Sequence, residues 1–517
     1  MWYLAPALVA ALVFAPQAAA APPVAQSDVN GDGIGDLVMA TGARLTYLGD
    51  TALTPDDLGG SVYVVPGGAP AAMVNQASPG VGLGMSSTDK FGAALATGDF
   101  NGDGMADVAV GNPTETVGGL ANAGVVTVLY GQRGAPYLRT ISGALSTITQ
   151  DSADLPGVVE AGDLFGGGLA AGDFNGDGFA DLAVGSPGEA IETKARAGAV
   201  WILYGRAAGL TGTGSVAFNQ DDANLAGAAE AGDLMGWAVA AGDVTGDGRD
   251  DLAVLSAGEV ITGTADAWGS VHLIHGAAGG LSSAASSYVS VGNAATTGKW
   301  RGLVIGKFHG GANADLVIQA DQRRGTVAGA GALVAVRGGA SGLTTTTTVI
   351  DQAGDIPGTP EAGDYFGGSL AVGDLDGDGI DDLAAGELKE NDRTGYVCLL
   401  RGGGAGLLSA PATAIGENTA PINAGEGVGE GFGYGLRILD ITGDGRAELV
   451  AAAPWEGGTL QTGAMFVLGV GLSGTSLAVT SSRRVTRADL GTASAFGPGA
   501  PFAGSSLVLN DNQETPR

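Results

Sequence analysis

The chain has 517 residues, of which 95 are glycine, 45% are hydrophobic and only 15% are charged, with 54 acidic against 23 basic side chains and a net charge of −31. The hydrophobic share is large enough for a buried core and argues against intrinsic disorder. The negative charge argues against binding to nucleic acid or to an anionic lipid surface and favours cations. The single cysteine, Cys398, excludes an intrachain disulfide, and its apolar neighbours predict a buried, unreactive thiol.

Residues 1–21 have the pattern of a secretory signal peptide. An apolar run from Leu4 to Phe14 precedes small residues up to Ala21, which predicts cleavage near Ala20 or Ala21, although no Lys or Arg precedes the run. The alternative, a membrane anchor, needs about 20 apolar residues, and this run is shorter. We therefore expect residues 22–517 to form a secreted, extracellular monomer without a membrane span.

One acidic motif recurs along the chain at spacings of 64 to 74 residues. We number its copies as loops one to seven. Their first residues are Asp28, Asp99, Asp173, Asp243, Lys307, Asp374 and Asp440. Six copies keep side-chain oxygens at positions 1, 3, 5 and 9, whereas loop five, which starts at Lys307, is degenerate.

Two further elements keep step with the acidic motif. An apolar, β-branched run that ends in glycine predicts a strand and a turn; the seven runs start at Gly60, Gly124, Gly198, Gly269, Gly331, Gly395 and Gly463. A Phe-Gly pair and a short strand precede most loops, at Phe91, Phe165, Phe366 and Phe432, with Met235 in the fourth unit. Such units bury both faces when they stack radially, which predicts an all-β, seven-bladed β-propeller over residues 22–517. A β-sandwich does not explain seven matched units.

The chain ends predict how the ring closes. The segment from Phe502, FAGSSLVLN, is similar to FGAALATGD from Phe91, whereas the first unit starts almost at its acidic loop. We therefore expect the C-terminal segment to supply the inner strand of blade one and so remove a free sheet edge.

The acidic loops have the oxygen ligands that calcium prefers. In loop two, Asp99, Asn101, Asp103 and Asp107 offer side-chain oxygens, and Met105 offers a backbone carbonyl at position 7. The predicted Ca²⁺ ligands of the six loops are Asp28, Asn30, Asp32, Ile34, Asp36; Asp99, Asn101, Asp103, Met105, Asp107; Asp173, Asn175, Asp177, Phe179, Asp181; Asp243, Thr245, Asp247, Arg249, Asp251; Asp374, Asp376, Asp378, Ile380, Asp382; and Asp440, Thr442, Asp444, Arg446, Glu448. Position 12 is apolar in all six, which excludes an EF-hand.

Some loops depart from this pattern. Neutral threonine at position 3 weakens loops four and seven as metal sites. The alternative for every loop is an ordinary turn, in which Asp and Asn bond to nearby backbone amides. Loop five should bind no calcium, and either Lys307 replaces the metal beside Asp315 or it is a solvated lysine.

These motifs resemble those of the FG-GAP family, which includes the propellers of integrin α subunits. The resemblance rests on the Phe-Gly pair, the acidic loop, the apolar strand and, in two blades, a Gly-x-Pro turn at residues 111–113 and 185–187. It implies a seven-bladed propeller with calcium in hairpin loops on one face. Blade four, with Met-Gly, and blade five, without the acidic ligands, depart from the family pattern.

Two functions remain open from the sequence. Catalytic motifs are missing, and His272 and His275 lie three apart in a predicted strand, which places them on opposite faces; all three histidines are interpreted as structural or surface residues. A second set of acids precedes the Phe-Gly pairs, at Asp89, Asp163, Asp233, Asp364 and Glu430. They either cap backbone amides or line the mouth of the propeller. We therefore predict a module that binds a protein or glycan on the face opposite the calcium loops; a polysaccharide- or ester-acting hydrolase or lyase is the alternative.

Overall fold

The computed structural model describes residues 27–41, 60–67, 70–84, 86, 89–259, 267–290, 296–323, 327–387, 394–425, 429–454 and 463–486. The predicted signal peptide and the predicted closing strand from Phe502 lie outside these residues. Over the described ranges the protein is all-β, and its strands form seven sheets arranged as a β-propeller, which confirms the predicted fold class. No helix in these ranges is long and apolar enough to cross a membrane.

The strands are numbered in chain order and grouped by blade. Blade one contains β1 (Leu37–Thr41), β2 (Ser61–Val65) and β3 (Ala72–Val74). Blade two contains β4 (Ala94–Gly98), β5 (Asp107–Asn112), β6 (Val125–Gly131), β7 (Leu138–Arg139) and β8 (Thr147–Ile148). Blade three contains β9 (Gly168–Gly172), β10 (Asp181–Ser186), β11 (Ala199–Leu203) and β12 (Val216–Phe218). Blade four contains β13 (Met235–Gly242), β14 (Asp251–Ser256), β16 (Ser270–His275) and β17 (Ser282–Ser290).

The remaining three blades follow the same order. Blade five contains β15 (Ala267–Trp268), β18 (Thr296–Gly306), β19 (Asp315–Arg323), β20 (Ala332–Val336) and β21 (Thr347–Ile350). Blade six contains β22 (Phe366–Gly373), β23 (Asp382–Glu387), β24 (Tyr396–Leu400) and β25 (Thr413–Ile415). Blade seven contains β26 (Leu436–Leu439), β27 (Glu448–Ala453), β28 (Ala464–Ser473) and β29 (Ser476–Val485).

Strand register fixes where the acidic loops lie. In blade two Asp107 is paired with Gly98, and in blade three Asp181 is paired with Gly172. In blades two to seven position 9 therefore opens the second strand, as predicted, and the loop is the hairpin between the two innermost strands. All acidic loops consequently lie on one face of the ring, and the connections from one blade to the next lie on the other.

The core lies between neighbouring blades. Phe91, Phe165, Phe366 and Phe432 are fully buried, and the ring of Phe165 meets that of Trp201 edge-on at a centroid distance of 5.6 Å. The backbones approach closely around these side chains: a Cβ added at Gly111 would lie 2.2 Å from the carbonyl oxygen of Gly166. The Phe-Gly pair and the glycine excess are therefore packing requirements of the contact between blades.

A central cavity of about 620 Å³ runs between the inner strands of the blades. Small residues such as Ala96 and Gly168 form most of its wall, and Trp237 and Arg437 also line it. Burial lowers the pKa of the Arg437 guanidinium. Arg437 stands where the other inner strands carry Ala or Val, so its position in the wall departs from the repeat.

Candidate functional site

The first aspartate of each acidic loop organises the loop backbone. In loop two the carboxylate of Asp99 accepts hydrogen bonds from the backbone N–H of Gly102 at 2.7 Å, Asp103 at 3.1 Å and Gly104 at 2.9 Å. Gly102 and Gly104 have φ values of 73° and 83°, which glycine adopts without strain. The tight bend thus depends on one carboxylate and two glycines.

The same geometry recurs in other blades. Asp173 accepts the equivalent three bonds in loop three at 2.7, 3.1 and 2.9 Å, and Asp374 accepts them in loop six at 2.7, 3.1 and 2.8 Å. Asp28 and Asp440 do so in loops one and seven. In loop four Asp243 accepts two, from Asp247 and Gly248. The repeat in sequence is therefore a repeat in structure.

In loops two to six the aspartate at position 9 joins the loop to the end of the third strand of its blade. Asp107 is fully buried and accepts hydrogen bonds from the backbone N–H of Phe100 and of Gly131, both at 2.9 Å. Burial raises its pKa to about 8, and the charges of Asp99 and Asp103 raise it as well. Burial likewise raises the pKa of Asp36, Asp181 and Asp382 to about 7.

In loops six and seven the ligand oxygen atoms lie close enough together to share one cation. Ligand oxygens of Asp374, Asp376 and Asp382 lie within 4.8 Å of one another, as do those of Asp440, Asp444 and Glu448. In loop seven Thr442 Oγ1 donates a hydrogen bond to Glu448 at 3.0 Å. The donor set contains only oxygen, and burial penalises its negative charge, so these residues fit a hard divalent cation such as calcium.

In loop five a histidine contacts the aspartate at position 9. His309 Nδ1 lies 2.5 Å from Asp315 Oδ2, and both side chains are 8% exposed. Lys307 is exposed, so the expectation that it lies beside Asp315 is wrong and the solvated alternative holds. Asp315 Oδ1 still accepts the backbone N–H of Gly338 at 3.0 Å, which is the bond that Asp107 makes to Gly131. The structural role of position 9 is therefore separable from metal binding.

Backbone hydrogen bonds connect most of the acidic loops to the next one. The N–H at position 8 donates to the carbonyl at position 1 of the preceding loop: Ala106 to Asp28 at 2.7 Å, Ala180 to Asp99 at 3.0 Å and Asp250 to Asp173 at 3.0 Å. Ala314 donates in the same way to Asp243 at 2.8 Å. Position 1 is a predicted ligand position and position 8 directly precedes another. These bonds therefore connect the predicted ligand positions of neighbouring loops through the backbone.

The acids on the opposite face cap backbone amides. Asp163, Asp233 and Asp364 accept the N–H of the residue three positions earlier at 2.6, 2.5 and 2.6 Å, and Asp89 accepts that of Ser86 at 2.8 Å. All four are no more than 3% exposed. Burial raises the pKa of Asp163 to about 6 and that of Asp233 to about 7. For these four, capping is the alternative that the structure supports, rather than an open ring of carboxylates.

Sequence reasoning missed a set of buried amide–carboxylate pairs on this face. The glutamine Nε2 donates to a glutamate of the next blade: Gln76 to Glu115 at 2.7 Å, Gln150 to Glu189 at 2.5 Å and Gln220 to Glu259 at 2.5 Å, with Gln352 to Glu387 at 3.3 Å. A glutamine 39 residues before a glutamate in three successive units was the available signal. These pairs connect adjacent blades at their outer edge.

The histidines of β16 are structural, as expected. His272 is buried, with Nε2 2.7 Å from the carbonyl oxygen of Ala226 and its ring against Tyr288. Burial lowers the pKa of His272, so the neutral ring donates this bond. His275 is buried on the other face of the strand, near Gly342. Cys398 is buried too, and burial raises the pKa of its thiol, which confirms an unreactive cysteine.

Comparison with known proteins places these repeats in a family. FG-GAP repeats match residues 91–129, 165–203, 235–267, 366–399 and 432–468, which are blades two, three, four, six and seven. The chain therefore contains five FG-GAP repeats, and over part of its length it is homologous to integrin α subunits and to phosphatidylinositol-glycan-specific phospholipase D.

The relatives are much longer than the matched region. Over 167 residues, 32% of this chain, the sequence is 32% identical to phosphatidylinositol-glycan-specific phospholipase D of Bos taurus and covers 18% of it. Over 164 residues, also 32% of this chain, it is 34% identical to integrin alpha-PS2 of Drosophila melanogaster and covers 11% of it. A solved structure of an AofleA mutant from Arthrobotrys oligospora covers 76% of this chain and 88% of its own at 10% identity and a TM-score of 0.36.

Proposed function

We propose that the protein is an exported, calcium-binding propeller that acts as an extracellular binding module, with calcium structural in the blade loops. Loop three carries the calcium proposal. Burial raises the pKa of Asp181 to about 7, and the charges of Asp177 and Asp173 add to this effect. Among the described residues no Lys, Arg or His forms an ion pair with this loop. The negative charge of loop three therefore has no ion-pair partner in the described part of the chain.

In loop three the ligands would be the side chains of Asp173, Asn175, Asp177 and Asp181 and the carbonyl of Phe179. A bound calcium ion would supply two positive charges at this point. Asp173 keeps the bend by accepting three backbone N–H groups, and Asp181 holds the loop to the third strand through the N–H of Gly205 at 2.8 Å. Both are ordered by these bonds, so little ligand entropy would be lost on binding.

The binding part of the proposal concerns the face opposite the loops. Val158 is 65% exposed in the connection between blades two and three, and Leu120 is 39% exposed in the connection between β5 and β6. The two connections are joined by the hydrogen bond from Gly162 N–H to the carbonyl of Ala121 at 3.0 Å. Exposed apolar side chains on connections held by a rigid ring are suited to a protein or glycan partner.

Metal analysis and calorimetry test the calcium proposal on the full chain. We expect four to six bound calcium ions after dialysis, and a fall in melting temperature when a chelator is added. A metal-free protein that melts at the same temperature with and without chelator would contradict it, and would leave the loops as ordinary turns.

A glycan array and a panel of purified extracellular matrix proteins test the binding proposal, with product analysis to detect cleavage. We expect retention of one class without turnover, and loss of that retention in Val158→Asp. Val216→Asp, on the outer strand of blade three, is the matched control. Cleavage of a retained glycan would favour the hydrolase or lyase instead.

A further inference from the structure

Loop six contains a cation contributed by the chain. Arg401, the residue after β24, lies with Nε 2.5 Å from Asp376 Oδ2 and with Nη2 2.7 Å from Asp378 Oδ2. The Asp376 side chain is 1% exposed and that of Arg401 is 21% exposed, so water screens this contact less than a surface ion pair. One guanidinium thus holds both acids that loop six offers at positions 3 and 5.

Two features of blade six occur together. Position 3 is Asp376 in loop six but Asn30, Asn101 and Asn175 in loops one to three. The residue equivalent to Arg401 is Tyr130 in blade two and Tyr204 in blade three. These tyrosines point elsewhere, since their hydroxyl groups accept the N–H of Leu210 and Leu281 in the following blade. An arginine also stands at the equivalent position of blade five, Arg337, so it is the combination of the arginine with the extra acid that is specific to blade six.

The charges of the loops show what this pair does. Loop three has three carboxylates at its ligand positions and no ion pair among the described residues, whereas loop six has four carboxylates at its ligand positions and one guanidinium. The guanidinium contacts oxygens that calcium would share, and it places a positive charge next to the position that calcium would occupy. Two cations at such a distance repel each other strongly when partly shielded from water.

We propose that Arg401 is a resident cation of loop six, which keeps this loop ordered without calcium and lowers its calcium affinity below that of loops two and three. The inference rests on the calcium function proposed above. Loop five works in a related way, because His309 pairs with Asp315 there. The two loops are adjacent, and the backbone N–H of Lys307 donates to Asp381 Oδ2 at 2.7 Å. Blades five and six are therefore neighbours in which a basic side chain of the protein contacts an acid of each loop.

Hydrogen–deuterium exchange of the full chain, resolved by peptide, tests this directly. In chelator we expect residues 99–107 and 173–181 to exchange faster than in calcium, and residues 374–382 to stay protected. Arg401→Gln should make residues 374–382 exchange fast in chelator. In the same variant the calcium midpoint for their protection should fall by about tenfold or more relative to the unmodified protein, because the repulsion is gone. Arg337→Gln, an exposed arginine at the equivalent position of blade five, is the control and should change nothing.

Three results would overturn the inference. Residues 374–382 could exchange in chelator as fast as residues 173–181 in the unmodified protein. Arg401→Gln could raise the calcium midpoint of loop six, which would make Arg401 a residue that orients ligands for the metal. If no loop responds to calcium, the proposed calcium function is wrong, and the proposed effect of Arg401 on the calcium affinity of loop six is wrong with it. The responses of loops two and three distinguish this last failure from the other two.

Discussion

The backbone N–H of Gly35 donates a hydrogen bond to the carbonyl oxygen of Asp440 at 3.0 Å, and this bond joins the first acidic loop to the last. The same bond, from position 8 to position 1, connects loops one and two, two and three, three and four, four and five, and five and six. Beneath it, Leu37, Met39 and Tyr63 of blade one pack with Val450 and Met465 of blade seven in a single buried cluster. Blades one and seven are therefore neighbours, and the ring closes on the loop face.

The first prediction concerns the inner strand of blade one. Among the described residues β1 pairs with β2 alone, whereas the equivalent strand of every other blade also pairs with an inner strand. If the segment from Phe502 is that strand, Phe502 should fill the place that Phe165 fills in blade three. We expect Phe502→Ala and Phe165→Ala each to lower the free energy of unfolding by about 3–5 kcal/mol.

Urea unfolding followed by fluorescence measures both variants. Phe218→Ala, at a partly exposed position of β12, controls for removing an aromatic ring away from these places. Closure by the C-terminal segment would be wrong if Phe502→Ala unfolded like the unmodified protein while Phe165→Ala did not.

The second prediction concerns calcium stoichiometry. Asp103→Ala and Asp177→Ala should each remove one bound ion, because each deletes an acid at position 5 of a loop. His309→Gln should remove none, since loop five lacks the other ligands. At a free calcium concentration ten times the dissociation constant, each lost site should lower the free energy of unfolding by roughly 1.4 kcal/mol.

Mass spectrometry under native conditions counts the ions, and thermal melts in calcium and in chelator measure their effect. The two aspartate variants should differ from the unmodified protein in calcium and approach it in chelator. Unchanged ion counts in both would show that these loops are not the binding sites.

The third prediction separates the two roles of position 9. Asp315→Asn should weaken the contacts of that residue with His309 and Gly338 and lower stability by about 1–3 kcal/mol, equally with and without calcium. Asp181→Asn should weaken the equivalent bond to Gly205 and also a calcium site, so its deficit should grow when calcium is added. Equal deficits for Asp181→Asn in calcium and in chelator would limit position 9 to a structural role.

The contrast between loops shows how far the sequence could predict this protein. The oxygen pattern at positions 1, 3, 5 and 9 and the Phe-Gly pairs predicted the hairpins and the buried rings, because both depend on residues that are close in the chain. The contact between Arg401 and Asp376 could not be read in this way. It depends on the direction in which the Arg401 side chain points at the end of β24 and on the register of three strands. An arginine after an apolar strand is not a specific signal for such a contact.

The same limit explains the other differences. The sequence predicts that loop five is degenerate and that His309 is a structural or surface residue, but the contact of His309 with Asp315 depends on the bend between them. The Gln150–Glu189 pair joins two blades, so its partners are set by the packing of whole sheets. The capping role of Asp163 was weighed because it involves the local backbone alone.

The fourth prediction concerns pH and the outer junction between blades two and three. Burial raises the pKa of Glu189 to about 7 from 4.5, even though the amide of Gln150 donates a hydrogen bond to it. A carboxyl group whose pKa is higher in the folded than in the unfolded state binds protons more readily when folded, so its contribution to stability is full at low pH and is lost as the pH rises. For Glu189 the loss should occur between about pH 4.5 and 7.

Replacing the carboxylate by a neutral amide in Glu189→Gln removes this dependence while keeping a hydrogen-bonding partner for Gln150. We therefore expect the difference in urea midpoint between pH 5 and pH 7.5, measured in saturating calcium so that the loop acids stay bound, to be larger for the unmodified protein than for Glu189→Gln. Glu192→Gln, at an exposed position three residues further on, should behave like the unmodified protein. Identical pH dependence in all three proteins would show that Glu189 does not keep its proton in the folded state near neutral pH.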